Sequence, residues 1–458
     1  MRIYAIWGLI LLTVVLSQAQ DRTVLSFSTY LAEVRANHPQ YAQTKLLEQK
    51  AKAKLLKARG ALDPKLTTDW ELKQFQGKNY YNLVESKLKI PSITGIEFQL
   101  GYNYASGTYY NPEDELPEAG QATLGLRLPI LQGFLKNPYR TGILQAQTYQ
   151  AIAKAETVIA QNDFLYQAAV SYWTWCLAYN RQVIIQAAIE ISKAQLDANR
   201  TAFFAGDIAA IDTLKAYTEW QTMRLELYEV ELELKQIGNQ LQFFAPNTDS
   251  ESSIPEALEN NRLTEVIEIW EDWSQHPKLK VYQLKLQNLD YELQLQKNNA
   301  LPNIGIKYNF LAANHVNFFR TYNGYAPIGN YKLGMDITVP ILNRKNRATR
   351  QFVQLDYEAT ELELQSEQRT LTTQGQNYAE QIRSYQEQTN WAKQLMDNYQ
   401  NIFLNERLKY QLGESTMLVV NTRKQQFVQA QLKYLALRYK YIKALLAYAK
   451  LSLQYDKF

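Results

Sequence analysis

Two runs between Pro302 and Pro340 alternate strictly between one set of apolar residues and one of polar residues and glycine. Ile304, Ile306, Tyr308 and Phe310 are interleaved with Gly305, Lys307 and Asn309, and Tyr331, Leu333, Met335, Ile337 and Val339 with Lys332, Gly334, Asp336 and Thr338. A period of two puts one set on each face of a strand. Runs of about ten residues suit strands tilted across a bilayer, and the same pattern also suits an antiparallel hairpin in water. The polar, aromatic stretch Ala313–Asn330 between them reads as a loop outside the membrane. Elsewhere the pattern is helical. Residues 140–204 contain no proline and no glycine after Gly142, enough for a helix of about 95 Å at 1.5 Å per residue. Residues 208–242 form a return arm broken only by Gly238, and residues 344–411 and 415–452 repeat the arrangement. In the last arm Phe427, Ala430, Tyr434, Leu437, Tyr441, Ala444, Tyr448 and Leu451 are spaced alternately by three and four, a heptad seam that packs on a neighbouring helix. Gln and Asn are frequent on all four arms; a helix with one apolar seam and an uncharged polar face suits a wall wetted on one side.

These elements occur twice. His38-Pro39 returns as His276-Pro277, 238 residues later, and each pair precedes a helical stretch, Tyr41–Ala61 and Lys278–Ala300. Each stretch runs to a proline, Pro64 and Pro302, again 238 apart. Alternating residues follow, then Leu128-Pro129-Ile130-Leu131 and Val339-Pro340-Ile341-Leu342, then the long arms, with a glycine at Gly206 and Gly413. The unit is helix, strands, helix, glycine, helix, written twice. The repeats divide the chain into residues 20–245 and 263–458, joined by a linker over 246–262. The first repeat has 27 more residues in its strand region, which read as one extra hairpin. Its candidate strands are Leu66–Phe75, Asn79–Ile90, Gly95–Ala105 and Gln121–Leu131, with Pro91-Ser92-Ile93-Thr94 as the added turn. Six strands close only a narrow barrel, and an open edge has no place in lipid, so a wide barrel needs strands from several chains.

Composition adds limits. Residues 1–19 read as a signal peptide: Arg2, an apolar run Ile3–Leu16, then Ser17-Gln18-Ala19 as a small-x-small cleavage site. An N-terminal membrane anchor is the alternative. No other stretch has the apolar length of a spanning helix. The net charge of +4 includes no basic block, so nucleic acid is not implied. Cys176 is the only cysteine, which rules out an internal disulfide, and it reads as a packed small hydrophobe beside Trp175. The histidines are His38, His276 and His315; the first two read as helix-start residues. No metal spacing, phosphate loop or nucleophile elbow is present, so an enzyme is not expected, nor a cofactor or metal. Glu113-Asp114-Glu115 reads as a solvated or lipopolysaccharide-facing surface. The residues alone leave open a periplasmic coiled-coil interaction protein without channel activity.

Over roughly residues 25–450 the chain resembles the TolC-type outer-membrane efflux proteins. The resemblance rests on the doubled order of elements, on the junctions Leu128-Pro129-Ile130-Leu131-Gln132-Gly133 and Val339-Pro340-Ile341-Leu342, and on the turns 204–212 and 410–418 between long helices. It implies a mostly α chain with membrane β: a duplicated helix–strands–helix unit whose homotrimer forms an antiparallel coiled-coil α-helical barrel in the periplasm and a transmembrane β-barrel in outer-membrane lipid. The family supplies four strands per chain. Six candidate segments here leave two outcomes, an 18-strand barrel or an extra hairpin absorbed into longer strands. The resemblance also implies a passive exit duct that takes substrates from an inner-membrane pump through a periplasmic adaptor (membrane fusion) protein.

The turn residues Ala205, Gly206, Asp207, Leu412, Gly413 and Glu414 match the family's adaptor-docking helix tips. Asp212 and Tyr410 match two positions that link the closed entrance, and Ser415 stands where the family has a linking arginine. Val419 and Thr422 replace the two aspartates that line it. The resemblance therefore implies an entrance closed by apolar contact at Val419 and less selective for cations.

Overall fold

The computed structural model describes residues 23–107, 109, 116–248, 253–258, 263–312 and 330–458. The leader over 1–19, the acidic cluster Glu113-Asp114-Glu115, His315, nearly all of the loop over 313–330 and parts of the linker over 246–262 lie outside the described residues. In chain order the elements are β1 (Thr23–Leu25), α1 (Phe27–Asn37), α2 (Pro39–Gly60), β2 (Lys65–Phe75), β3 (Lys78–Pro91), β4 (Glu97–Ser106), β5 (Gln121–Pro129), α3 (Pro138–Ala205) and α4 (Ala210–Phe244). There follow β6 (Ser253–Pro255), α5 (Leu263–Val266), α6 (Pro277–Asn299), β7 (Asn303–Ala312), β8 (Tyr331–Thr338), α7 (Arg344–Gln411) and α8 (Met417–Leu451). The repeat is metrical: α3 and α7 are each 68 residues long, and α4 and α8 each 35. No described helix is long and apolar enough to cross a membrane.

The residues group into two compact units, and each draws on both repeats. The first contains residues 1–45, 158–274 and 368–458 and is built mainly of helices. Its aromatic centre is Phe27, Tyr30, Tyr172, Trp173 and Tyr455, all buried. The Tyr172 hydroxyl donates to the Leu25 carbonyl at 2.6 Å and accepts from the Glu256 amide at 3.2 Å, pinning the short parallel pair β1–β6. Arg35 donates to the carbonyls of Tyr455 and Phe458 at 2.7 and 3.2 Å. The Phe458 ring packs on Phe27 and Tyr455, a place in the helical unit rather than in a sheet. Cys176 is fully buried, and burial pushes its thiol up, as expected of a packed hydrophobe. The heptad seam holds: Ala430, Leu437, Tyr441, Ala444 and Tyr448 are buried, and Phe427, Tyr434 and Leu451 are half-buried.

Gly238 does not break the return arm, contrary to the sequence expectation. α4 runs through it to Phe244, with Ile237, Gly238 and Leu241 buried. A single glycine costs about 1 kcal/mol in helix propensity, which packing of the surrounding residues offsets.

The two histidines do start helices. The Nδ1 of His276 accepts the Lys278 amide at 3.2 Å, and that of His38 accepts the Gln40 amide at 3.1 Å. Each satisfies a first-turn N–H that the helix itself leaves unpaired, with proline at the first helical position where no donor is needed. Both imidazoles are buried, and desolvation holds the His38 pKa below its usual value, so it stays neutral and able to accept.

The second unit contains residues 46–157 and 275–367, and with them one sheet in the order β2-β3-β4-β5-β7-β8. Every neighbouring pair is antiparallel. The extra hairpin of the first repeat is thus two full strands, within a residue or two of the expected bounds. The dyad pattern sorts the faces. One row across all six strands reads Leu66, Leu88, Leu100, Leu124, Phe310, Tyr331. The adjacent row, on the opposite face, reads Lys65, Lys89, Gln99, Gly125, Asn309, Lys332. The polar face also carries Asp336 between Arg127 at 3.2 Å and Lys307 at 3.1 Å.

Strand-to-helix junctions are fixed by asparagine in both repeats. The Asn137 Oδ1 accepts the Arg140 amide at 2.9 Å, capping α3, while its Nδ2 donates to the Ile93 carbonyl at 2.9 Å in the turn of the added hairpin. Asn343 precedes α7 and donates to the Ala300 carbonyl at 3.2 Å. Asn137 is almost fully buried, so Asn137→Ala leaves two backbone groups unsatisfied. We expect a loss of about 2 kcal/mol, measured as a lower midpoint of thermal unfolding; an unchanged midpoint would remove the junction from the list of structural ties.

Candidate functional site

The turns that join the long helices are built alike. α3 ends at Ala205, and Gly206 takes φ +83°, with its amide bonded to the Phe203 carbonyl at 3.0 Å and the Asp207 amide to the Ala202 carbonyl at 2.9 Å. α7 ends at Gln411, and Gly413 takes φ +78°, with its amide bonded to the Tyr410 carbonyl at 3.1 Å and the Glu414 amide to the Lys409 carbonyl at 2.9 Å. Both are Schellman closures, in which a left-handed residue turns the chain and satisfies the last helix carbonyls. Nothing stands within 4 Å of where a Cβ would lie at either glycine, so backbone conformation, not space, demands glycine here. Three residues after each glycine comes an N-cap without a side-chain bond, Ala209 and Thr416.

The expected docking residues Ala205, Gly206, Asp207, Leu412, Gly413 and Glu414 are all exposed. Around them the surface is apolar: Phe204 is 85 % exposed, Leu412 and Leu418 are each 67 % exposed, and Ile211 is exposed too. Bare aromatic and aliphatic groups beside an acid at each turn make a surface suited to a partner.

The entrance residues are placed one by one. Asp212 lies in the first turn of α4, paired with Lys215 of its own helix at 3.2 Å, while its backbone carbonyl accepts from Asn199 at 3.3 Å. Ser415 donates to Glu406 of α7, tying the second turn together. Thr422 is exposed, with its hydroxyl on the Leu418 carbonyl, Val419 is half-buried, and Tyr410 is exposed. Counting from their glycines, Asp212 and Val419 occupy the same place in the two repeats. Among the described residues no hydrogen bond or ion pair joins any two of Asp212, Tyr410, Ser415, Val419 and Thr422 within one chain.

Residues 273–452 match the family model described as outer membrane efflux protein. No curated protein matches the chain in sequence. The whole chain has the fold of solved outer-membrane channels. It is similar to the Campylobacter jejuni CmeC outer membrane channel at 14 % identity and a TM-score of 0.67, over 93 % of this chain and 85 % of that one. VceC of Vibrio cholerae matches at 13 % identity and 0.66, over 93 % and 95 %. MtrE of Neisseria gonorrhoeae, solved in an open state, matches at 13 % and 0.64, over 93 % and 88 %. At such identities the likeness is one of fold, and it agrees with the TolC-type architecture expected from the doubled unit.

On α8 the structure shows one group that sequence reasoning missed. The Lys424 side chain on α8 is only 4 % exposed and pairs with Glu219 of α4 at 2.6 Å. Its Nζ also donates to Ser192 at 3.1 Å and Gln195 at 3.3 Å, both on α3. One ammonium thus ties three helices together two turns beyond the glycine-bearing end. The signal was present but faint: Lys424 sits midway between the buried Val420 and Val428 at helical spacing of four, a lysine on an apolar stripe. Removing one partner of such a pair strands the other charge in a dry place. Lys424→Ala should lower stability by roughly 3 kcal/mol, and adding Glu219→Ala should return part of that loss. Denaturant unfolding of the parent, both single variants and the double variant checks this; losses that simply add in the double variant would mean that the pair is uncoupled.

Proposed function

We propose that the chain is the exit duct of an outer-membrane efflux or secretion system. The observation that carries this reading is the match of residues 273–452 to the outer membrane efflux protein family model, in a chain whose sheet exposes a six-strand apolar face. Three copies pool their strands in outer-membrane lipid, and their long helices wall a periplasmic tunnel. Substrate arrives from an inner-membrane pump through a periplasmic adaptor that docks on the apolar turns around Gly206 and Gly413. The duct is passive, and the partner pump supplies the energy. A coiled-coil protein confined to the periplasm is disfavoured by Trp70, Leu72, Leu333, Met335 and Ile337, whose exposed side chains on one sheet face suit lipid and not water.

At the entrance, Val419 and Thr422 close the passage by apolar and neutral contact. No carboxylate ring stands at those positions to draw cations. The duct therefore shows weak divalent-cation block in single-channel recordings, and Val419→Asp with Thr422→Asp creates a strong one. Strong block in the parent protein, left intact by Val419→Ala and Thr422→Ala, would overturn this account of the entrance.

The docking role is tested at the second turn. Proline cannot take the positive φ of Gly413 and has no amide for the Tyr410 carbonyl. Gly413→Pro abolishes pump-dependent export while the heat-modifiable trimer still assembles. Loss of the trimer instead would make the turn a folding element only.

A further inference from the structure

We propose that the barrel has eighteen strands, closed by antiparallel pairing of β2 of one copy with β8 of the next. The proposal rests on the trimeric duct reading and concerns which strands that trimer pools. Among the described residues each chain holds six strands in one sheet, and three chains make eighteen.

Direction is the first argument. Every neighbour in the order β2-β3-β4-β5-β7-β8 is antiparallel, so the outer strands β2 and β8 run in opposite senses. Copies arranged around a common axis then bring β8 against β2 antiparallel, and the alternation continues unbroken around the ring. An odd number of strands per copy would force a parallel seam at each joint.

Exposure is the second. β2 is exposed at every one of its 11 positions, and β8 at all but Gly334 and Asp336. These are two open edges on a sheet with an apolar face, and lipid tolerates no unpaired edge.

The third argument is that the added hairpin carries the same two faces as the rest of the sheet. Leu66, Trp70 and Leu72 on β2 and Val84 and Leu88 on β3 continue the apolar face. The polar side chains that fall on that face are paired off: Thr68 with Ser86 at 3.1 Å, and the Trp70 indole N–H with Asn82 at 2.8 Å. Pairing is what hydrocarbon demands of such groups, and water would not require it. The opposite face of the hairpin carries Lys65, Asp69, Glu85, Lys87 and Lys89.

The fourth is attachment. β3 pairs with β4 from Asn82↔Ser106 to Pro91↔Glu97, so the edge of β4 is already occupied. The turn after β3 is locked to the junction leading into α3. The Leu135 amide bonds to the Thr94 carbonyl at 3.1 Å, Asn137 to the Ile93 carbonyl at 2.9 Å, and a Cβ on Gly95 would stand 2.1 Å from the Gly133 carbonyl oxygen. A barrel of four strands per copy would have to strip β3 from β4 and break this lock.

Barrel width grows with strand number, so eighteen strands make a mouth roughly one and a half times as wide as twelve. At a strand spacing of ~4.8 Å and a tilt of ~40° the backbone diameter is about 36 Å.

The test uses the full-length protein in outer membranes. Leu66, Trp70 and Leu72 are replaced in turn by cysteine in a Met335→Cys background and oxidised; the native Cys176 is buried and does not compete. We expect at least one combination to give covalent dimers and trimers on a denaturing gel. Cross-linking of Met335→Cys to Leu100→Cys on β4, with none to β2, would overturn the eighteen-strand barrel and leave the trimer standing. Spin labels provide a readout that needs no seam register. A label at Trp70→Cys should be reached by oxygen from the lipid, and one at Glu71→Cys by a water-soluble nickel chelate. Water accessibility at both would overturn the proposal. Native mass spectrometry separates the two levels, because a monomer would bring down the duct reading as well.

Discussion

A β-sheet with one apolar face and two unpaired edges has no stable home as a single chain. In water the face is exposed, and in lipid the edge amides and carbonyls go unsatisfied, at several kcal/mol for each group. The sheet of this chain is in that position: Leu66 through Tyr331 form an apolar row across six strands, and both outer strands are open. Closure with further copies meets both demands at once. The remaining features of the chain either hold the sheet in register or prepare what lies beyond it.

The internal repeat provides that preparation at low cost in new design. Equal helix lengths in the two repeats place glycine turns of the same geometry at the ends of α3 and α7, each followed by an acid. Asn137 and Asn343 start those helices, and His38 and His276 start the ones before the strands. Against this shared frame the differences stand out. The first repeat adds a hairpin and keeps Asp212, and the second has Val419 in its place. Lys424, Glu219, Ser192 and Gln195 bind helices of both repeats into one packed end.

Much of the fold was legible because both periods are strong. Alternation located the two strands of the second repeat, the candidate segments of the first repeat lie within about two residues of the observed strands, and long stretches free of proline located the four arms within a few residues. What was missed lacks a period. α1 is 11 residues long, and its buried Tyr30, Leu31 and Val34 form too short a pattern to separate from the leader before it. The parallel pair β1–β6 joins three-residue segments more than two hundred residues apart, which no local signal can show. Gly238 reads as a break because glycine propensity is local, whereas its burial in α4 is tertiary. At the candidate site, the glycines were legible from backbone chemistry. The partners of Asp212 and Ser415 were not, because Lys215, Asn199 and Glu406 are brought to them by the turns and carry no periodic signal. Lys424 escaped notice because its partners come from two other helices.

The central claim is that the edges of this sheet are paired in the working assembly. Amide hydrogen exchange of the full-length protein in lipid, read by mass spectrometry, tests it most directly. The account predicts that amides of Lys65–Phe75 and Tyr331–Thr338 exchange as slowly as those of β4 and β5. Fast exchange confined to those two strands, with β4 and β5 protected, would show open edges and contradict it.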